Sequence, residues 1–335
     1  MTAVFPYSGV DISAAWKYNV FNGGYQIAMV NQVALNLFGF PIYWYGILIA
    51  SAVVLGVIVA SAREKRLGFK KDTTLDFLLL ALPLAVICAR AYYVIFAWRS
   101  YAAHPISIFN LREGGMAIYG GVIGGLLAAF LFSWYRHISF AALVDLCAPS
   151  LVLGQAIGRW GNFFNQEAYG AAVENPALRF FPAAVFIEAD GLWHYATFFY
   201  ESAWCFIVFA VLLLLEGRGC VRRRGDLFAM YLFLYGAERA VVEGLRTDSL
   251  MLLSLRVSQW LSILFMLGAL IWFMRGYRIT RRRGVLCALA VLGGAALFIF
   301  MLAGAFIGQI ISAALIAAAG VLLYISPATI REKKV

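Results

Sequence analysis

The feature that most constrains this chain is a succession of apolar runs, each about 20 residues long, the length a helix needs to cross a bilayer. They fall at residues 42–61, 75–98, 114–135, 140–157, 197–215, 226–245 and 257–274, and a longer apolar stretch from Val285 to Ile325 holds two more spans' worth. With 63% hydrophobic and 13% charged residues, the composition departs from the roughly half-apolar, quarter-charged soluble average, and the chain reads as an all-α polytopic integral membrane protein. The net charge of +10 would suit nucleic acid, but the basic residues cluster in short stretches between the apolar runs. They read as orientation signals, and no nucleic-acid partner is expected.

Those clusters are Arg63, Lys65, Arg66, Lys70 and Lys71; Arg136; Arg218 and Arg222 to Arg224; Arg275, Arg278 and Arg281 to Arg283; and Arg331, Lys333 and Lys334. All fall on the same side of an alternating chain. Lysine and arginine favour cytoplasmic loops, which predicts a cytoplasmic C-terminus and an N-terminus outside, with an odd number of crossings, about nine. The expected organisation has five parts. Residues 1–40 form an outer-face segment with a turn at Asn22-Gly23-Gly24, and 41–162 carry spans one to four. Residues 163–196 form an outer-face head with a hairpin over Val185 to Tyr195 around Asp190-Gly191. Spans five to seven occupy 197–275, and 276–335 supply a basic loop and additional C-terminal spans that bend near Gly304 to Gln309.

Five cysteines are scattered singly and three histidines, His104, His137 and His194, share no ligand spacing. No metal, disulfide framework or cofactor is expected.

Polar residues are then the informative ones. Gly158-Arg159-Trp160-Gly161-Asn162-Phe163-Phe164-Asn165-Gln166-Glu167-Ala168-Tyr169-Gly170 follows directly on the fourth span, so Arg159, Asn162, Asn165 and Glu167 arrive together at the hydrocarbon edge. Charge at that depth is costly unless it meets a cavity or a partner, which favours a functional site over a solvated loop. Three glycines in the stretch would let backbone approach a ligand. In the sixth span Tyr235, Arg239, Glu243 and Arg246 recur at helical spacing and share one stripe. Guanidinium groups from two spans would make an anion site, because the planar fork binds two phosphate oxygens and keeps its charge on burial. Internal ion pairing is the plainer alternative. The third span carries Gly120, Gly121, Gly124 and Gly125, spaced for close helix packing, with Tyr119 beside them. Tyr45, Tyr200-Glu201 and Ser258-Gln259 are further candidates near the outer ends of their spans.

An ordered set of these residues resembles the prolipoprotein diacylglyceryl transferase family. It comprises Ile42-Tyr43-Trp44-Tyr45-Gly46, the Glu113 to Gly125 stretch, Asp145, Gly158 to Gly170, Phe199-Tyr200-Glu201-Ser202, and Tyr235-Gly236-Ala237-Glu238-Arg239 through Glu243 and Arg246. The resemblance implies a seven-span core in a bacterial cytoplasmic membrane. It also implies transfer of the diacylglyceryl group of phosphatidylglycerol to the lipobox cysteine thiol of a prolipoprotein, forming a thioether and releasing glycerol 1-phosphate. By position, Arg159 is similar to the family's headgroup ligand, and Asn162, Glu243, Arg246, Tyr45, Tyr235 and Glu201 would join it in binding phosphatidylglycerol. Tyr119, Arg239 and Glu167 are the expected catalytic groups, with Tyr119 as thiol base and Glu167 or Glu243 as the other acceptors. Two positions depart from the family pattern: Tyr119 stands where many members have histidine, and His194-Tyr195-Ala196-Thr197 replaces a histidine-proline pair. A transporter or flippase for an anionic lipid or solute is the competing function, and a purely structural membrane protein is another.

Overall fold

The computed structural model describes residues 10–11, 16–20, 26–102, 104–110, 114–246, 251–253, 255–277, 280–303 and 306–326. Its helices are α1 (Trp44–Glu64), α2 (Thr73–Phe96), the short α3 (Trp98–Tyr101), α4 (Ile118–Arg136), α5 (Phe140–Asn165), α6 (Thr197–Gly217), α7 (Asp226–Val242), α8 (Val257–Gly276), α9 (Arg281–Leu302) and α10 (Phe306–Ile325). Among the described residues 8 of them are long and apolar enough to cross a membrane. The protein is an all-α polytopic membrane protein. The expected sixth span is occupied by α7, which has 17 residues, and by the 3-10 turn Glu243–Leu245 that continues it.

The strands form only small antiparallel ribbons: β1 (Val10–Asp11), β4 (Val33–Leu37) and β5 (Phe40–Tyr43) in one sheet, then the pairs β2 (Trp16–Val20) with β3 (Gln26–Val30), β6 (Ala184–Ile187) with β7 (Leu192–Tyr195), and β8 (Met251–Leu252) with β9 (Leu255–Arg256). The hairpin expected around Asp190-Gly191 is β6–β7, with Gly191 at φ +70°. The Asn22-Gly23-Gly24 turn lies outside the described residues.

The chain divides into two compact units, Met1–Gly56 with Pro149–Val335, and Val57–Ala148. In the smaller unit α4 packs directly on α2. A Cβ on Gly120 would stand 2.3 Å from the Cys88 carbonyl oxygen, and one on Gly124 would stand 2.6 Å from that of Leu84. Gly125 by contrast meets nothing within 4 Å. Only one of the two glycine rows is therefore the packing row. The third span begins later than the apolar run suggested, at Ile118, because Gly114 and Gly115 take left-handed φ of +79° and +77°. Arg90, buried on α2, holds that approach by donating to the carbonyls of Ser107, Ile108, Asn110, Gly114 and Gly115. Ala60, Ala129, Phe132, Leu143 and Leu146 form the buried core of this unit. One predicted orientation charge is also structural: Arg63 is buried and donates to the Leu146 and Asp145 carbonyls at 2.7 and 3.1 Å.

In the larger unit α9 and α10 form a helical hairpin, with a Cβ on Gly293 falling 2.9 Å from Ile316 Cγ1. α9 ends at Leu302 and α10 starts at Phe306, so Gln309, expected at the bend, is already helical, while Gly304 lies outside the described residues. Against α7, α10 presents Gly320, where a Cβ would meet the Phe233 ring at 2.2 Å.

Candidate active site

The fourth span does not end where its apolar run ends. α5 continues to Asn165, so Arg159 and Asn162 sit three apart on one helical face and Asn162 accepts from Arg159 Nη1 at 3.5 Å. After the helix, Gln166 and Ala168 adopt left-handed φ of +50° and +57°. That is a costly conformation for side-chain-bearing residues, about 1–2 kcal/mol each, and it is held by local bonds. Asn162 and Asn165 both donate to Glu167 Oε1, at 2.9 and 3.3 Å, and Thr197 Oγ1 donates to the Ala168 carbonyl at 2.7 Å. The motif ends at Gly170, which forms an antiparallel bridge with Arg246.

Two of the three glycines of the motif are packed against protein. Gly161 is small because the Tyr45 ring of α1 lies on it, 2.4 Å from where a Cβ would stand, and Gly170 is small because Tyr195, Thr197 and Leu245 crowd it. Gly158 is more open, the nearest neighbour of a Cβ there being Ile49 Cδ1 at 3.8 Å. Trp44 stacks on Phe164 with ring centroids 4.9 Å apart, so the start of α1 is fixed along the motif helix. Trp160 faces the other way, donating from Nε1 to Ser202 Oγ on α6 at 3.1 Å.

The charged residues converge on one carboxylate. Glu201 on α6, with a side chain only 1% exposed, receives Arg159 Nη2 at 2.6 Å, Arg239 Nη1 at 2.8 Å and Arg246 Nη1 at 3.8 Å. Arg239 also contacts Glu243 through Nη2, and Ser258 Oγ donates to Glu243 Oε1 at 2.9 Å. Gln259 Nε2 ties α8 to the Ala240 carbonyl at 3.1 Å. Two of the ion contacts are close without being directed: Glu201 Oε2 and Glu243 Oε2 have no hydrogen-bond partner despite their guanidinium neighbours. Glu201 thus faces all three guanidinium groups, and Glu243 faces that of Arg239. Arg159, 20% exposed, uses its fork on one undirected ion contact and one 3.5 Å bond. Such a site is suited to an oxyanion with several acceptor oxygens.

Most of the expected residues therefore meet: Arg159, Asn162, Glu167, Glu201, Arg239, Glu243 and Arg246 form one connected polar network, and Tyr45 lies on its helix. Tyr235 stacks on Tyr231 one turn before Arg239, with centroids 5.8 Å apart. Tyr119 belongs to the smaller unit, is 38% exposed and lies with its ring centroid 6.4 Å from that of Tyr92. Glu238, one residue outside the predicted stripe, was not anticipated.

Residues 32–275 match the family described as Prolipoprotein diacylglyceryl transferase. The chain belongs to that family. Similar curated proteins named phosphatidylglycerol–prolipoprotein diacylglyceryl transferase come from Bacillus cytotoxicus, Bacillus cereus strain Q1 and Bacillus anthracis. Each is 48% identical over 241 residues, covering 71% of this chain and 88% of the relative. The family match takes in every helix that carries the network, α5 to α8, and leaves α9 and α10 outside it.

The hairpin next to the motif is itself pinned by His194, whose Nδ1 lies 2.8 Å from the Gly170 carbonyl and whose Nε2 lies 2.8 Å from Asp190 Oδ2. Slight burial raises the Asp190 carboxyl, but the Leu192 amide and His194 outweigh it and hold it below its ordinary value. His194 thus serves the position of the motif and takes no part in the guanidinium network.

Proposed function

We propose that the network around Glu201 is the active site through which this chain transfers the diacylglyceryl group of phosphatidylglycerol to the lipobox cysteine of a prolipoprotein, the first step of lipoprotein maturation. One observation carries the reading: three guanidinium groups delivered by α5, α7 and the turn after α7 share one buried carboxylate. The phosphodiester of the lipid replaces Glu201 as their partner, with Arg159 as its principal ligand and Asn162, Tyr45, Tyr235, Glu243 and Arg246 completing the headgroup site.

In the reaction the cysteine sulfur forms a bond to the glyceryl carbon that carries the phosphate ester. The carbon–oxygen bond breaks, and its electron pair leaves on the oxygen of glycerol 1-phosphate. The phosphate gains charge as it departs, and fixed guanidiniums in a water-poor site stabilise that charge with little reorganisation. Arg239, held from both sides by Glu201 and Glu243, is the group assigned to that step. The same positive field lowers the pKa of the incoming thiol. Its proton goes to Tyr119 in its phenolate form, an assignment that rests on the sequence motif, with Glu167 as the acceptor next in line. The surroundings are the bacterial cytoplasmic membrane, with the N-terminus outside and the C-terminus in the cytoplasm.

The test is direct. Purified protein in detergent, incubated with phosphatidylglycerol and a lipobox peptide, should add one diacylglyceryl mass to the peptide cysteine. Arg159→Ala and Arg239→Ala should each lower that rate by about 100- to 1,000-fold, the usual effect of losing a transition-state charge ligand, with unchanged helix content. Near-normal transfer by both variants would overturn the site assignment. Near-normal transfer by Tyr119→Phe would move the base role to Glu167.

A further inference from the structure

α9 and α10 lie outside the family match, yet α10 reaches the turn that carries two residues of the headgroup site. Late in α10, Gly320 receives the Phe233 ring of α7. Early in α10, Gln309 meets Gly244, where a Cβ would stand 3.1 Å from Gln309 Oε1. Between these contacts a cavity of about 390 Å³, with Val241 and Leu245 on one wall and Ile310 and Ala313 on the other, leaves part of the interface open. Gln309 is thus where α10 is pressed against the turn.

Gly244 sits in the 3-10 turn between Glu243 and Arg246. Residues of the family core hold this turn from several sides. Ala171 N–H donates to the Leu245 carbonyl at 2.9 Å, Gly170 bridges Arg246, and Arg256 Nη2 donates to the Arg246 carbonyl at 2.8 Å. The face at Gly244 has no side chain of its own, and Gln309, 4% exposed, closes it. Its Nε2 donates to the Phe300 carbonyl of α9 at 3.2 Å, and its Oε1 is left without a hydrogen-bond partner. A buried amide oxygen without a donor is costly, and an apolar side chain would fill the space without that cost. The next atoms around the same Cβ position are Arg256 Nη1 and Gln259 Nε2, both at 3.9 Å. The partial negative charge of the oxygen therefore lies beside two donor groups that tie this stretch of chain.

We propose that Gln309 is a positioning residue for diacylglyceryl transfer: by closing the bare face of Gly244 it fixes the turn that sets Arg246 at the lipid headgroup. This role rests on the headgroup site proposed above, and it gives the extra C-terminal hairpin a part in substrate binding. Arg246 Nη1 stands 3.8 Å from Glu201, the longest of the three guanidinium contacts, whereas Arg239 is at 2.8 Å on the regular part of α7. A shift of the turn is felt first at Arg246, a binding group, and less at Arg239, the group assigned to the leaving phosphate.

Transfer by the full chain in detergent is followed over a range of phosphatidylglycerol concentrations at saturating lipobox peptide. Gln309→Ala should raise KM for the lipid about threefold or more and keep kcat within about twofold, the pattern left when binding common to ground and transition states is lost. Gly244→Ala, whose Cβ presses on the Gln309 oxygen, should do the same. In the double variant the two effects should not add, because that Cβ then meets empty space. Gly293→Ala disturbs the hairpin away from the turn, against Ile316, and should lower the unfolding midpoint without changing KM. Amide exchange at Arg246, whose N–H donates to the Glu243 carbonyl at 3.2 Å, reads the turn without turnover and should quicken in Gln309→Ala. Unchanged KM or unchanged exchange in Gln309→Ala, full additivity in the double variant, or an equal rise in KM from Gly293→Ala would overturn the assignment. An unmodified chain that transfers nothing, with Arg246 exchange still quickened by Gln309→Ala, would instead sink the reaction and leave the brace standing.

Discussion

Glu201 neutralises parts of three guanidinium groups from a position with almost no contact with solvent. Removing one member of a buried ion cluster leaves the others uncompensated, at a cost of about 3–5 kcal/mol. Glu201→Ala should therefore lower the unfolding midpoint sharply as well as transfer, whereas Arg159→Lys should stay folded and lose mainly activity, because an ammonium cannot reproduce the fork. Thermal unfolding and the peptide assay, run side by side, separate the two outcomes. Arg159, Arg239 and Arg246 were legible in the sequence because charge inside an apolar run is expensive and demands a partner. That partner was harder to see. Tyr200-Glu201 stood out only as a polar pair near a span end, and no spacing rule says that three arginines choose one glutamate. Glu238, buried one residue from Arg239, was silent for the same reason.

The spans themselves were written in 20-residue apolar runs, and the helices follow them closely. Ends were less legible. The polar content of Gly158 to Asn165 reads as the end of a span, but α5 runs through it, because backbone hydrogen bonding and packing against Trp44 and Tyr45 outweigh the change in polarity. Glycine spacing was likewise half informative, since Gly120 and Gly124 touch α2 while Gly125 is open. Gly120→Ala should destabilise by about 1–3 kcal/mol through overpacking, and Gly125→Ala should be neutral or gain up to about 1 kcal/mol of helix propensity, both read from thermal unfolding in detergent. The β6–β7 hairpin carries a pH signature of its own. Because the folded Asp190 carboxyl titrates below its unfolded value of 3.8, its charge stabilises the hairpin above that value and is lost as pH falls through the lowered one. Amide exchange at Leu192, which donates to Asp190 Oδ1 at 3.0 Å, should quicken, relative to the intrinsic rate, below pH 3.8 and do so less in Asp190→Asn.

For the molecule as a whole, the proposed orientation has a simple check. Alkaline phosphatase fused after Val335 should stay inactive in cells and a cytoplasmic reporter fused there should work; the opposite pattern would invert the topology. Buried Arg63 shows why charge counting alone does not settle orientation, since a residue counted as a cytoplasmic signal is an interior tie. The arrangement around Glu201 bears on turnover as well. On the proposed assignment, the resting protein carries a tethered rival for its own substrate, and a phospholipid would have to evict a side chain before reacting. The return of that rival after transfer would then help expel glycerol 1-phosphate, whose added negative charge would otherwise hold it on the arginines and stall the next cycle.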